Sequence, residues 1–283
     1  MSLTLQAINR FPVKSCRGEA MDHAVVEPWG LAGDRRWMLV DDGGAQITAR
    51  TYPRLVLVRP ALRGDGGLEL TAPDLPALHV EIPGPDRLVD VRVWRSEVHA
   101  TLAPDDAHAW FSKVIGTSAR LVHLRDPRQR HTNPKFSGPD DVVSLADGYP
   151  LLLTTTASLD AVNDYIAAGR CADEGPLPMT RFRPSVVVHG SDAWVEDGWR
   201  RVRIGEAVFR VAKGCDRCVL TTVDPDTASM GREPLASLVR HRRWDGLTWF
   251  GMSLIPDNPG AEIAAGDDVE VLESEPAPDG PPR

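Results

Sequence analysis

Cysteine is scarce in this chain: there are four among 283 residues, Cys16, Cys171, Cys215 and Cys218. So few thiols exclude a disulfide scaffold. None follows Cys218, so the closely spaced thiolates that hold an iron–sulfur cluster are missing from the remainder. No apolar run approaches the ~18 residues of a membrane span. The opening residues, "MSLTLQAINRFPVKSC", lack the basic start and apolar stretch of a signal peptide, and a cytoplasmic location is the resulting expectation. Positive charge is not in excess either. Lys and Arg total 32 against 40 Asp and Glu, for a net charge of −8, which argues against nonspecific nucleic-acid binding. No strand-turn-helix G-x-G-x-x-G fingerprint for a dinucleotide occurs, and there is no internal repeat.

Glycine and proline, 24 of each, punctuate the chain. Between them lie short alternating or β-branched runs, as in "RWMLVDD" (36–42), "RLVLVRP" (54–60), "GLELTAP" (67–73), "ALHVEIP" (77–83) and "VDVRVWRSEVHATLA" (89–103). This is the pattern of successive short strands and hairpins, with "DDGG" (41–44) as a hairpin turn. Strands resume at 185–190, 199–214 and 267–273. Helices are predicted over 105–116, closed by Gly116, over 158–169 with Ser158 as N-cap, and over 233–242. The fold class expected is α+β and β-rich. At ~150 residues per domain, one or two domains fit the length. The polar stretch "RDPRQRHTNPKFSGPDD" (125–141) marks the boundary. The expected division is 1–120, 121–273 and a disordered tail over 274–283.

Arginines cluster in "GDRRW" (33–37), "TRFRP" (180–184) and "CDRC" (215–218). Each cluster suits a small anionic ligand, and each also suits surface ion pairs. The Cys215-x-x-Cys218 pair is more pointed. A thioredoxin-like site needs the pair at a helix N-terminus, but "VLTTV" (219–223) favours a strand. A structural zinc site needs four ligands, and only one such pair exists. Burial as packing residues suits Cys171 and Cys16, but less so a pair flanking Asp216 and Arg217. A single thiolate serving a soft metal held mainly by other ligands remains, with Arg217 and Lys213 favouring the anionic sulfur.

The stretch "CDRCVLTTVDPDTASMGREPL" (215–235) closely resembles the signature of the MOSC domain. The pattern is most similar to the amidoxime-reducing components and their YcbX-like bacterial counterparts. "FPVKSCRG" (11–18), "GLAGDRRWMLVD" (30–41) and "TARTYPRLVLV" (48–58) resemble blocks of the N-terminal β-barrel domain that precedes MOSC in that group. "DGYPLLLTTTASL" (147–159) and "RFRPSVVV" (181–188) resemble blocks of the MOSC domain itself, so the resemblance spans roughly residues 3–272.

The resemblance implies two β-barrel domains with a few packed helices, and a molybdenum cofactor ligated by Cys218. It implies cofactor contacts at Lys14, Ser15, Arg35, Asp147, Arg183, Ser185, Asp216 and Arg217. Two positions depart from the pattern: Ser185 stands at an Asn position, and Ala228 stands where glycine is common and would disfavour a left-handed turn. The implied activity is reduction of small N-hydroxylated or N-oxide compounds. Electrons are expected from separate proteins, a flavin reductase with an iron–sulfur or haem carrier, and no nucleic-acid or membrane partner is expected. The alternative is a non-catalytic cofactor carrier or sulfur-handling module.

Overall fold

The computed structural model describes residues 2–276 and residue 280. Seven strands close into a barrel. Around its wall they run Leu151–Thr155, Val186–His189, Leu3–Arg10, Asp268–Ser274, Trp199–Ile204, Ala207–Asp216 and Leu247–Pro256, and the last pairs back onto the first. Only one pair in this ring is parallel, Leu151–Thr155 with Val186–His189. Parallel neighbours need a crossover connection, and the helix Thr156–Ala167 lies in it. Leu5, Val186, Val202, Phe209 and Leu254 fill the barrel core. Gly251, at φ +80°, lets its strand bend past the closing seam, where an added Cβ would lie 2.7 Å from the Leu153 carbonyl oxygen.

The first strand crosses the expected division at residue 120. Leu3–Arg10 is a stave of the barrel, paired with Val186–His189 on one side and Asp268–Ser274 on the other. Pairings across that sequence separation leave no local signal. Five other strands build a sheet in the order Leu88–Val93, Ser96–Leu102, Arg120–His123, Trp37–Val40, Gln46–Ile47. All four residues of Trp37–Val40 are buried. Trp37 and Leu39 pack with Leu55, Phe111 and Leu121, whereas Met38 and Val40 pack with Val91, Val98 and Val122. That two-sided burial explains why "WMLV" shows no polar alternation.

Other expectations shift at particular residues. The "DDGG" hairpin forms, with the Asp41 carboxylate accepting from the Gly43 and Ala45 amides at 2.9 Å. "RLVLVRP" is mostly a 3₁₀ turn, Pro53–Leu57, before the strand Arg59–Leu62. The second helix is capped by Thr155, whose hydroxyl accepts from the Ser158 amide at 3.2 Å. Ser158 instead donates to Glu196. The other helices are Asp105–Ile115, closed by Gly116 in the left-handed region, and Leu235–His241. At the C-terminus the last strand runs through Ser274, and the Glu275 amide donates to the Gly198 carbonyl at 2.8 Å, so the expected disordered tail does not begin at 274. Residues 277–279 and 281–283 of that tail lie outside the described residues.

Glu196 is a buried carboxyl between the second helix and the barrel. It accepts from Ser158 Oγ at 2.6 Å and Thr155 Oγ1 at 3.1 Å, while its Oε2 has no partner among the described residues. Burial raises its pKa from 4.5 to about 7. A raised folded-state pKa favours the fold below 4.5, and that advantage is lost as pH rises to about 7. The loss is about 3 kcal/mol at ~1.4 kcal/mol per unit. Glu196→Gln imitates the protonated form. Its Tm relative to the parent chain is expected to rise by about 5 °C between pH 5 and pH 8, read by calorimetry. A pH-independent difference would show that Glu196 ionises freely.

Candidate functional site

The barrel and the N-terminal sheets meet along a cleft of about 490 Å³, within the usual range for a small-molecule site. Loops from both halves line it. Lys14 and Ser15 follow the first strand, Arg35 sits in the turn before Trp37–Val40, and Arg50 follows Gln46–Ile47. Asp147 and Tyr149 lead into Leu151–Thr155, Arg183 leads into Val186–His189, and Asp216, Arg217 and Cys218 leave Ala207–Asp216. Eight of the nine residues expected from sequence therefore line one cavity. Ser185 does not. It is fully buried, and its hydroxyl accepts from the Leu152 amide at 3.3 Å, so its side chain serves the barrel wall.

One end of the cleft is built for an anion. Lys14 is only 5% exposed, and its Nζ donates to the Leu145 carbonyl at 2.8 Å and to Asp147 Oδ1 at 2.5 Å. Burial, reinforced by Arg130 and Arg50, lowers its pKa to about 8 despite Asp147. Arg35 and Arg183 lie over the Phe11 ring, each 4.4 Å from its centroid. Arg35 is paired with Asp34. The Arg183 guanidinium has no hydrogen-bond or ion-pair partner among the described residues, and burial next to Arg35 lowers its pKa to about 10. Ser15, Arg35 and Arg183 all have left-handed backbones, with φ of 71°, 47° and 56°. Non-glycine residues there cost roughly 1–3 kcal/mol each and persist only where their surroundings fix them.

The other end holds sulfur. Arg50 Nε donates to Cys218 Sγ at 3.1 Å, and its Nη2 donates to Asp147 Oδ2 at 2.7 Å. Trp94 stacks on the Arg50 guanidinium at 4.6 Å and donates Nε1–H to Asp147 Oδ1 at 3.1 Å. The charges of Lys14 and Arg50 outweigh burial and hold the Asp147 carboxyl well below the usual range. Cys215 takes a different cation: Arg217 Nη1 donates to its Sγ at 2.9 Å, while burial raises the thiol. Tyr149 also lines the cleft; its hydroxyl has no partner among the described residues, and burial together with Asp216 raises it to about 12. Lys213 pairs with Asp216 at 3.1 Å. Cys16 lies elsewhere, in the N-terminal core, fully buried with its thiol pushed up to about 12.

The segment after Cys218 is not the strand its β-branched residues suggest. Val219–Thr222 is a 3₁₀ turn. Thr221 and Thr222 donate their hydroxyls back to the carbonyls of Cys218 and Val219 at 2.9 Å. Such short-range bonds offer Thr an alternative to a β-ladder. Ala228 does enter the left-handed region, at φ 60°, contrary to expectation; its amide donates to the Asp224 carbonyl at 2.8 Å. Four side chains that serve the cleft were not singled out from sequence: Arg50, Trp94, Tyr149 and Arg130. Arg130, in the polar loop, is 4% exposed and donates to the carbonyls of Ser144, Ala146 and Asp147. The signal available was position: Arg50 lies inside "TARTYP" and Tyr149 inside "DGYP".

Among the described residues no three His, Cys, Asp or Glu side chains form a metal cage, and no helix is long and apolar enough to cross a membrane. Residues 2–118 match the model of the MOSC N-terminal beta barrel domain, and residues 140–270 match the MOSC domain. Human mitochondrial amidoxime-reducing component 1 is 33% identical over 282 residues, covering 93% of this chain and 81% of that protein. Human mitochondrial amidoxime reducing component 2 is 33% identical over 246 residues, covering 83% and 71%. Molybdenum cofactor sulfurase of Oryza sativa subsp. japonica is 30% identical over 271 residues, covering 88% of this chain but 32% of that protein. With both domains in order around one cleft, the chain belongs to the MOSC-domain family, in the group that carries the N-terminal MOSC β-barrel domain.

Proposed function

We propose that the cleft binds molybdenum cofactor and that the chain reduces N-hydroxylated or N-oxide compounds with electrons from separate redox proteins. The observation that carries this is the shared cavity: a cysteine sulfur held by Arg50 at one end, and a buried lysine with an unpaired arginine at the other. Cys218 would ligate the metal. Lys14, Ser15, Arg35 and Arg183 would hold the cofactor phosphate, since charge-assisted bonds to buried cations are strong. Asp216 and Arg217 would meet the pterin edges, where Arg217 Nε is buried without a partner among the described residues. Asp147 has both oxygens committed to Lys14, Arg50 and Trp94, and it acts through those cations. Ser185 is set aside as a contact.

The cofactor supplies the two-electron chemistry that removes oxygen from nitrogen, and the protein supplies orientation and electrostatics. The balance is an N-hydroxylated base plus two electrons and two protons, giving the parent base and water. Tyr149 keeps its proton through neutral pH and presents an unpartnered hydroxyl as a donor. The similarity to a cofactor sulfurase supports a second reading, a carrier or sulfur-handling module. Turnover separates the two.

Cys218→Ser is expected to lose metal and activity, because a hydroxyl is a poor substitute for a thiolate at a soft centre. Cys215→Ser is expected to keep most of both, its thiol already being engaged by Arg217. Metal analysis and amidoxime turnover read the outcome, and identical behaviour of the two variants would end the asymmetric assignment. Dithionite-reduced viologen is expected to sustain turnover where NADH does not. Steady NADH-driven turnover without another protein would refute dependence on a separate donor.

Lys14 gives a pH signature. It must be protonated to attract an anion, and with its pKa near 8 that charge is lost as pH rises. Sulfate is charged throughout this range. Its affinity for the metal-free protein is expected to fall between pH 7 and pH 9.5, and Lys14→Ala is expected to flatten the profile, measured by calorimetric titration. An unchanged profile in Lys14→Ala would exclude Lys14 from the anion site.

A further inference from the structure

Residues 89–103, which look like one continuous run, are two strands, Leu88–Val93 and Ser96–Leu102. Val93 pairs with Ser96, so Trp94 and Arg95 alone make the turn. Trp94 has φ 56° and Arg95 is not left-handed. This is the pattern of a type II′ hairpin, whose first position ordinarily belongs to glycine. A tryptophan there is strained, and the residue is nonetheless 47% exposed. Neither turn geometry nor core packing accounts for it. Two contacts fix the ring in place: Nε1–H to Asp147 and the Arg50 guanidinium on one face. No other ring or cation stacks on it among the described residues.

Arg50 also donates to Cys218 Sγ at 3.1 Å, with Trp94 at 4.6 Å from its guanidinium carbon. One C–N bond of ~1.3 Å separates those two Arg50 atoms, so the indole centre lies within about 9 Å of the sulfur. A molecule reacting beside Cys218 is within reach of that ring. We propose that Trp94 is the substrate-stacking residue of this cleft and selects aromatic N-hydroxylated bases over aliphatic ones. The proposal rests on the function proposed above. Stacked aromatic pairs add ~0.5–1.5 kcal/mol beyond area burial, about two- to tenfold in affinity.

Benzamidoxime and acetamidoxime share the reacting group and differ in the ring, so the ratio of their KM values isolates stacking. In holoprotein driven by reduced viologen, Trp94→Gly is expected to raise the ratio of benzamidoxime KM to acetamidoxime KM about two- to tenfold. Trp94→Phe keeps a ring but loses the bond to Asp147, and it is expected to hold the ratio near the parent value. An unchanged ratio in Trp94→Gly overturns the proposal. So does an equal shift in both variants, which would assign the effect to the lost hydrogen bond. Metal content and Tm are read alongside, and the glycine suits the turn. If the parent protein turns over neither compound, the proposed function fails first. Benzamidoxime affinity from saturation-transfer NMR then tests stacking independently: weaker binding by Trp94→Gly supports it, and equal binding overturns it.

Discussion

The Asp147 carboxylate is the constraint on which the cleft depends. Its Oδ1 accepts from Lys14 and Trp94, and its Oδ2 accepts from Arg50. Lys14 comes from the loop after the first barrel strand, Arg50 and Trp94 come from the N-terminal sheet, and Asp147 comes from the loop entering Leu151–Thr155. One acid therefore ties together three separate regions. Asp147 is 53% exposed on its side chain, but Lys14 is 6% exposed. A buried cation whose partner is removed costs roughly 3–5 kcal/mol, so the pairing is needed even where the contact itself stabilises little. Arg130 fixes the backbone beneath, binding the carbonyls of Ser144, Ala146 and Asp147.

The same arrangement sets the local field. The whole chain carries a net charge of −8, yet Lys14, Arg35, Arg50, Arg181, Arg183, Lys213 and Arg217 face the cleft against Asp147 and Asp216. Most of these cations are already paired. Arg181 is paired with Asp224, Arg35 with Asp34 and Lys213 with Asp216. Arg183 and Arg217 have no carboxylate partner among the described residues. Burying cations, and gathering them, is unfavourable: burial first and neighbouring cations second lower the pKa values of Lys14 and Arg183. An anionic ligand relieves that repulsion, so part of the cost of building the cleft is returned on binding.

Much of this was legible in the sequence where information is local. The strand runs, the "DDGG" hairpin and the three helices follow from periodicity and turn chemistry. Eight of the nine positions carried over from the family motifs line the cleft. What escaped depends on contacts far apart in sequence. Arg50 and Cys218 lie 168 residues apart, and Lys14 and Asp147 lie 133 apart. The barrel position of Leu3–Arg10 depends on strands near residues 186 and 268. The Trp94 turn was hidden because it holds no glycine, asparagine or aspartate, and Ser185 was misplaced because a motif position does not reveal which way a side chain points.

The two halves differ in how firmly they hold their parts. The barrel wall closes on itself, so Leu151–Thr155 and Ala207–Asp216 have no free edges and deliver Asp147 and Cys218 from fixed ends. The partners from the other half, Arg50 and Trp94, arrive on a loop and a hairpin tip. Their side chains reach across to Asp147, and that of Arg50 also reaches the sulfur. The Trp94 backbone is carried by its own hairpin, and its indole is bound from across the cleft. A ligand near Cys218 would meet a rigid floor with a roof whose position depends on Arg50. Because that one guanidinium touches the sulfur, the acid and the indole, a change at any of the three is felt by the other two through a single side chain.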